Sequence, residues 1–135
     1  MPRDTFVTID DIPVMYVAGE KGRPIPEQAP EAFRELEAKL PSLKGRKFYG
    51  VEFAGEYRAC AAIRENDDPS SLPHPAWVIP GGKYVRRKIK DWEENIDLLA
   101  LAFEALVKEN DIDPDRPFIE YYRSQRELFI MVPVK

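Results

Sequence analysis

The run Phe118-Ile119-Glu120-Tyr121-Tyr122 sets one carboxylate among large apolar and aromatic side chains. Two-residue alternation along a strand puts Phe118, Glu120 and Tyr122 on one face and Ile119 and Tyr121 on the other. A carboxylate between a Phe and a Tyr is partly desolvated, which raises its pKa unless a cation or a hydrogen-bond donor lies close. Aromatic π-faces around one countercharge suit an organic cation. The same spacing also describes a solvent-facing glutamate on an amphipathic strand, and spacing alone favours that plainer reading. Glu52 shares a strand face with Phe48. It is either a second acid beside the same hollow or a surface charge paired with a lysine, the second being the simpler account. Trp92 opens a helix and offers a wide flat surface with a single donor. It can wall a pocket or pack the helix start. Tyr49, Phe53, Tyr57, Trp77, Tyr84 and Tyr121 read as sheet and core residues, with one or two of them lining a cavity.

Other chemistries are excluded by what the chain lacks. His74, between Pro73 and Pro75, is the single histidine, so His-dependent triads and multi-His metal sites are out of reach. Cys60 is also single, set among Ala59, Ala61 and Ala62. It reads as a buried, inert thiol, and with no disulfide possible it fits a reducing cytoplasm. There is no phosphate loop, dinucleotide glycine pattern or metal-ligand spacing; Gly81-Gly82 alone is too weak to count. Neither cofactor nor metal is therefore expected. The net charge is -4, with 33% charged and 44% hydrophobic residues, a balance typical of globular proteins. The one basic run, Lys83 to Lys90, gives way to the acidic stretch Asp91 to Asp97, so no direct nucleic-acid binding is expected. No segment approaches the ~20 apolar residues of a membrane span, and no membrane role is expected. A cytoplasmic location is the resulting expectation.

The elements that must position these residues recur twice. Each half offers an extended segment opening on Ile-Pro with a tyrosine behind it (Ile12-Pro13 and Tyr16; Ile79-Pro80 and Tyr84), then one helix, then two strands. In the first half, Phe6 to Ala18 reads as a strand with a bulge or edge near Asp10, Asp11 and Pro13. Gly19 to Pro30 reads as a loop, and Phe33, Leu36 and Leu40 as the stripe of a helix ended by Pro41. Phe48–Phe53 and Tyr57–Ile63 form a hairpin about Ala54-Gly55-Glu56. An exposed linker follows, about 66–75. In the second half, Trp77 to Ile89 reads as one strand, with Gly81-Gly82 marking a bulge or a close approach of another backbone. A largely buried helix spans Trp92 to about Asn110, capped by Asp91 with Glu94. Strands through Phe118–Tyr122 and Leu128–Val134 complete the set. The expected fold is α+β: tandem βαββ units, about 4–65 and 76–135, forming an antiparallel sheet with two helices. The halves align loosely, Phe48 with Phe118, Gly50 with Glu120 and Glu52 with Tyr122. A cleft is expected where two such units face each other.

The pieces Lys47-Phe48-Tyr49-Gly50-Val51, Tyr57 to Ile63, Ile79-Pro80-Gly81-Gly82-Lys83-Tyr84, Glu120-Tyr121-Tyr122 and Met131-Val132-Pro133-Val134 occur in this order over nearly the whole chain. Together they resemble the GyrI-like small-molecule-binding domain, which also serves as the effector-binding half of AraC-type and MerR-type multidrug regulators. The resemblance implies a single domain over 1–135, with its halves in pseudo-twofold arrangement and a ligand cleft between them. It also implies a penultimate-strand glutamate that meets lipophilic cations. Glu120 stands at that position, and the resemblance moves it from surface charge to ligand-binding candidate, with Tyr122, Phe118, Trp92 and Glu52 around it. A stand-alone form is expected, since the first strand begins within a few residues of Met1 and no helix-turn-helix precedes it. Two alternatives stay open. Some stand-alone members hydrolyse reactive cyclopropane-bearing natural products with a glutamate, a role Glu120 could fill; others act on a protein partner such as gyrase.

Overall fold

The computed structural model describes residues 4–124 and 126–135. Eight strands and two α-helices follow in the order β1 (Thr5–Ile9), β2 (Ile12–Ala18), α1 (Ile25–Ala38), β3 (Phe48–Phe53), β4 (Glu56–Ala62), β5 (Ala76–Ile79), β6 (Gly82–Lys90), α2 (Ile96–Glu109), β7 (Phe118–Tyr122) and β8 (Glu127–Pro133). All strands join one curled antiparallel sheet, ordered β1-β6-β8-β7-β3-β4-β2-β5. The α+β class is as expected from the sequence.

The sheet order is the same from either end once the halves are exchanged, with β3 and β7 paired at the centre. Phe48 opposes Tyr122, Gly50 opposes Glu120 and Glu52 opposes Phe118. Because Gly50 aligns with Glu120 in the repeat, the halves meet at this pair. Each half's leading strand crosses to the other: β1 pairs with β6, and β5 with β2.

Two segments read as single strands are each two. Asp10-Asp11 separates β1 from β2, and Pro80-Gly81 separates β5 from β6. The breaks pack on each other: Asp11 accepts from the Gly81 amide at 2.7 Å, and a Cβ on Gly81 would stand 2.5 Å from the Ile9 carbonyl. The Gly81-Gly82 pair thus marks a close backbone approach, one of the two readings its sequence offers. The β3–β4 hairpin turns through Ala54 and Gly55 at positive φ, 53° and 80°, the mirror-type turn that suits strand twist.

Helix α1 starts at Ile25, inside the segment read as loop. Pro26 falls in the first turn, where a missing N–H costs nothing, and Pro30 lies within the helix. Its buried residues Gln28, Ala32 and Leu36 recur every four positions. They set the helix over Met15 and Val17 of β2 and Tyr57, Ala59 and Ala61 of β4. The second helical region is also divided, a single 3-10 turn at Trp92–Glu94 preceding α2. The expected cap does not form: Asp91 is left-handed, φ 51°, and makes no side-chain cap bond. Only Ala102 and Leu106 of α2 are fully buried, while Ile96, Leu98 and Leu101 stay exposed. The expected broad burial is therefore corrected; α2 covers β6 and β8 with one narrow face, over Val85, Leu128, Ile130 and Val132.

The opposite sheet face curls upon itself around Val14, Tyr49, Val51, Cys60, Ile79, Tyr84, Ile119 and Met131. The 66–75 linker is pinned at two points. Asp67 holds the buried Arg46 guanidinium at 2.8 Å, and the His74 ring bonds the Leu36 carbonyl at 3.0 Å.

Candidate functional site

The two helices seat on outer strands, α1 on β2 and β4, α2 on β6 and β8. The central pair β3–β7 lies between them. On its helix-facing side strand alternation presents Phe48, Gly50 and Glu52 from β3 and Phe118, Glu120 and Tyr122 from β7.

Gly50 is where the polar groups converge. A Cβ there would stand 2.5 Å from the Tyr57 hydroxyl, 3.0 Å from Glu120 Oε1 and 3.2 Å from the Tyr122 hydroxyl. Tyr57 reaches this point from β4, where it opposes Glu52. Any side chain at position 50 would displace the cluster, which is the physical need for glycine. The Tyr122 hydroxyl donates to Glu120 Oε1 at 3.4 Å. The Tyr57 hydroxyl lies beside that of Tyr122 but is buried and closes no well-directed hydrogen bond.

Rings wall the cluster. Tyr122 meets Phe33 of α1 edge-on at 5.2 Å and Trp92 edge-on at 5.2 Å, and Phe33 also meets Phe48 at 6.5 Å. Trp92 is held by its indole N–H, which donates to the Ser124 carbonyl at 3.2 Å. Phe118 stacks on Phe103 of α2 at 5.9 Å, extending the wall along β7.

Burial among these rings pushes the Glu120 carboxyl up to about 7. The Tyr122 hydrogen bond pulls it down and the nearby Glu52 charge pushes it further up. Among the described residues no Lys or Arg forms an ion pair with Glu120. Burial likewise drives the Tyr57 and Tyr122 phenols well above the ordinary tyrosine range. The site is thus a carboxylate poised near neutrality beside two neutral phenols, with no countercharge among the described residues.

Of the residues singled out in the sequence, Tyr122 touches both Glu120 and Trp92. Phe118 shares their face but stacks away on α2. Glu52 is exposed and reaches Glu120 only through its field. Tyr57, Phe33 and Gly50 complete the site and escape a reading of sequence alone. The signal for Gly50 was its alignment with Glu120; Tyr57 needs the β3–β4 register. A separate hollow of about 590 Å³ opens on the other sheet face, lined among others by Asp10, Asp11, Lys47, Tyr49 and Arg64. No group of His, Cys, Asp and Glu among the described residues could hold a metal ion, and no helix is long and apolar enough to cross a membrane.

No known protein family and no curated protein matches the chain. Solved structures do match it along 98% of its length. An integron cassette protein from the mobile metagenome of Vibrio cholerae superposes with a TM-score of 0.71 at 16% identity, covering 95% of that chain. The protein SAV2435, solved bound to tetraphenylphosphonium, gives 0.64 at 13% identity over 94% of its length. A hydrolase from Listeria innocua gives 0.61 at 14% identity over 92%. At these identities the likeness is one of fold.

Proposed function

We propose that this chain is a GyrI-like binding protein for lipophilic cations, whose two halves hold the guest over the β3–β7 pair. The observation that carries this reading is Glu120: a carboxylate among aromatic rings, without a cationic partner among the described residues. Ionising it there is costly, and a guest that brings positive charge on an apolar body removes that cost. Tyr122 and Trp92 supply ring contacts, Phe118 extends the apolar floor, and Glu52 adds negative field at the rim. A structural neighbour solved with tetraphenylphosphonium supports the ligand class. The buried, single Cys60 supports a reducing compartment such as the cytoplasm.

The test is titration with tetraphenylphosphonium, followed by tryptophan fluorescence. Wild type is expected to saturate, and Glu120→Gln to bind at least about tenfold more weakly, the scale of losing one desolvated ion pair. Trp92→Phe should remove the signal while leaving Trp77. Unchanged affinity in Glu120→Gln would refute a cation site.

A second reading shares the residues. A carboxyl poised near 7 beside two phenols suits general acid–base attack of water on an electrophile, and one structural neighbour is a hydrolase. Mass spectrometry of a cyclopropane electrophile incubated with wild type and Glu120→Gln separates turnover from binding. A water adduct made only by wild type is the enzymatic outcome.

A further inference from the structure

We infer that the Tyr57–Tyr122–Glu120 cluster selects guests that carry N–H protons: protonated primary or secondary amines on an apolar body, in preference to quaternary cations of the same size. The inference rests on the cation-site reading above and names the class of cation.

A count of protons supports it. Three oxygens converge over Gly50, those of Tyr57, Tyr122 and Glu120. Each phenol brings one proton and can accept two hydrogen bonds, while an ionised carboxylate only accepts. Tyr122 gives its proton to Glu120. The Tyr57 hydroxyl stands beside both Tyr122 and Glu120 and closes no hydrogen bond. Glu120 thus receives one proton, from Tyr122, and keeps the rest of its acceptor capacity, while the Tyr57 oxygen, at which no donor is aimed, keeps its own.

The surrounding groups do not fill that capacity. The nearest indole N–H, that of Trp92, is directed at Ser124. The charge acting on Glu120 is that of another acid, Glu52. Phe33 and Phe48 offer only ring edges and faces. Among the described residues Tyr122 is the sole hydrogen-bond donor to Glu120. A quaternary cation would neutralise the charge and leave the oxygens unfilled. An ammonium with two N–H groups does both, directing one proton to the carboxylate and one to a phenol oxygen. Tyr57 and Tyr122 are then the residues that set specificity, and Gly50 makes the room.

The experiment is calorimetry at pH 8 with a matched pair of probes, diphenethylammonium and its N,N-dimethyl quaternary form. Wild type is expected to bind the secondary ammonium about tenfold or more tightly than the quaternary form, the scale of one charge-assisted hydrogen bond. Tyr122→Phe should reduce that preference to about threefold or less. Tyr57→Phe, checked for native melting, should reduce it in the same direction. Equal or tighter quaternary binding by wild type, with Glu120→Gln weakening both probes, would overturn this inference and leave the cation site standing. Binding of neither probe would overturn both. The wild-type comparison decides even if a variant fails to fold.

Discussion

Replacing Glu120 with Gln should stabilise the folded protein above neutral pH. Burial raises this carboxyl from 4.5 to about 7, so between those values the folded chain holds a proton that the unfolded chain releases. Stability then falls as pH rises through this window and levels off above pH ~7. At 1.36 kcal/mol per unit, the shift corresponds to about 3 kcal/mol, a ceiling because part of the side chain still meets solvent. Gln keeps the shape and never ionises. Urea unfolding of both proteins at pH 4 and pH 8 gives the comparison. Near-equal stability is expected at pH 4, and a Glu120→Gln advantage of about 1–3 kcal/mol at pH 8. The difference between the two proteins cancels groups that titrate in both. A variant no more stable than wild type at pH 8 would mean that Glu120 is solvated or already neutralised, and the argument for an imported cation would go with it.

Gly50→Ala should lose about 1–3 kcal/mol by overpacking and weaken cation binding, since its methyl would meet the Tyr57 hydroxyl at 2.5 Å; thermal melting and dye titration read the two effects. Asp67→Asn should cost about 2–4 kcal/mol at pH 7 by urea unfolding, because it leaves the buried Arg46 charge unanswered. Arg46 holds the Asp67 carboxyl down at about 2, so wild type should lose this contribution as pH falls from about 4 toward 2, while Asp67→Asn shows no such loss. Cys60 is fully buried with its thiol pushed up to about 12; a thiol reagent at neutral pH should label it only in denaturant.

What could be seen in the chain itself follows the reach of each signal. Glu120 drew notice because a charge inside an aromatic strand breaks the local pattern, but its spacing alone suited a surface charge, and the family resemblance made it a candidate. The β3–β4 hairpin was visible because few residues accept positive φ. Tyr57 was not, because a tyrosine in a strand looks the same whether its hydroxyl meets water or a buried acid; only the pairing of β4 with β3 points it over Gly50. The start of α1 was hidden by reading Pro26 as a breaker, although a first-turn proline fits a helix. The division of β1 from β2 was hidden because Asp10-Asp11 also suits a bulge, and the true separation depends on which distant strands each piece joins. The exposed leucines of α2 were misjudged because apolar content was counted without knowing how little sheet lies beneath the helix.

The crossed leading strands have a consequence for how the molecule is assembled. With β1 laid along β6 and β5 along β2, each half finishes its sheet with a piece borrowed from the other, like two hands gripping wrists. Neither can close its own rim from its own residues, so folding must wait for pairings distant in sequence and proceed slowly for the chain's size. A nick between 66 and 75 would sever the peptide but leave the grip, and the two fragments would stay joined.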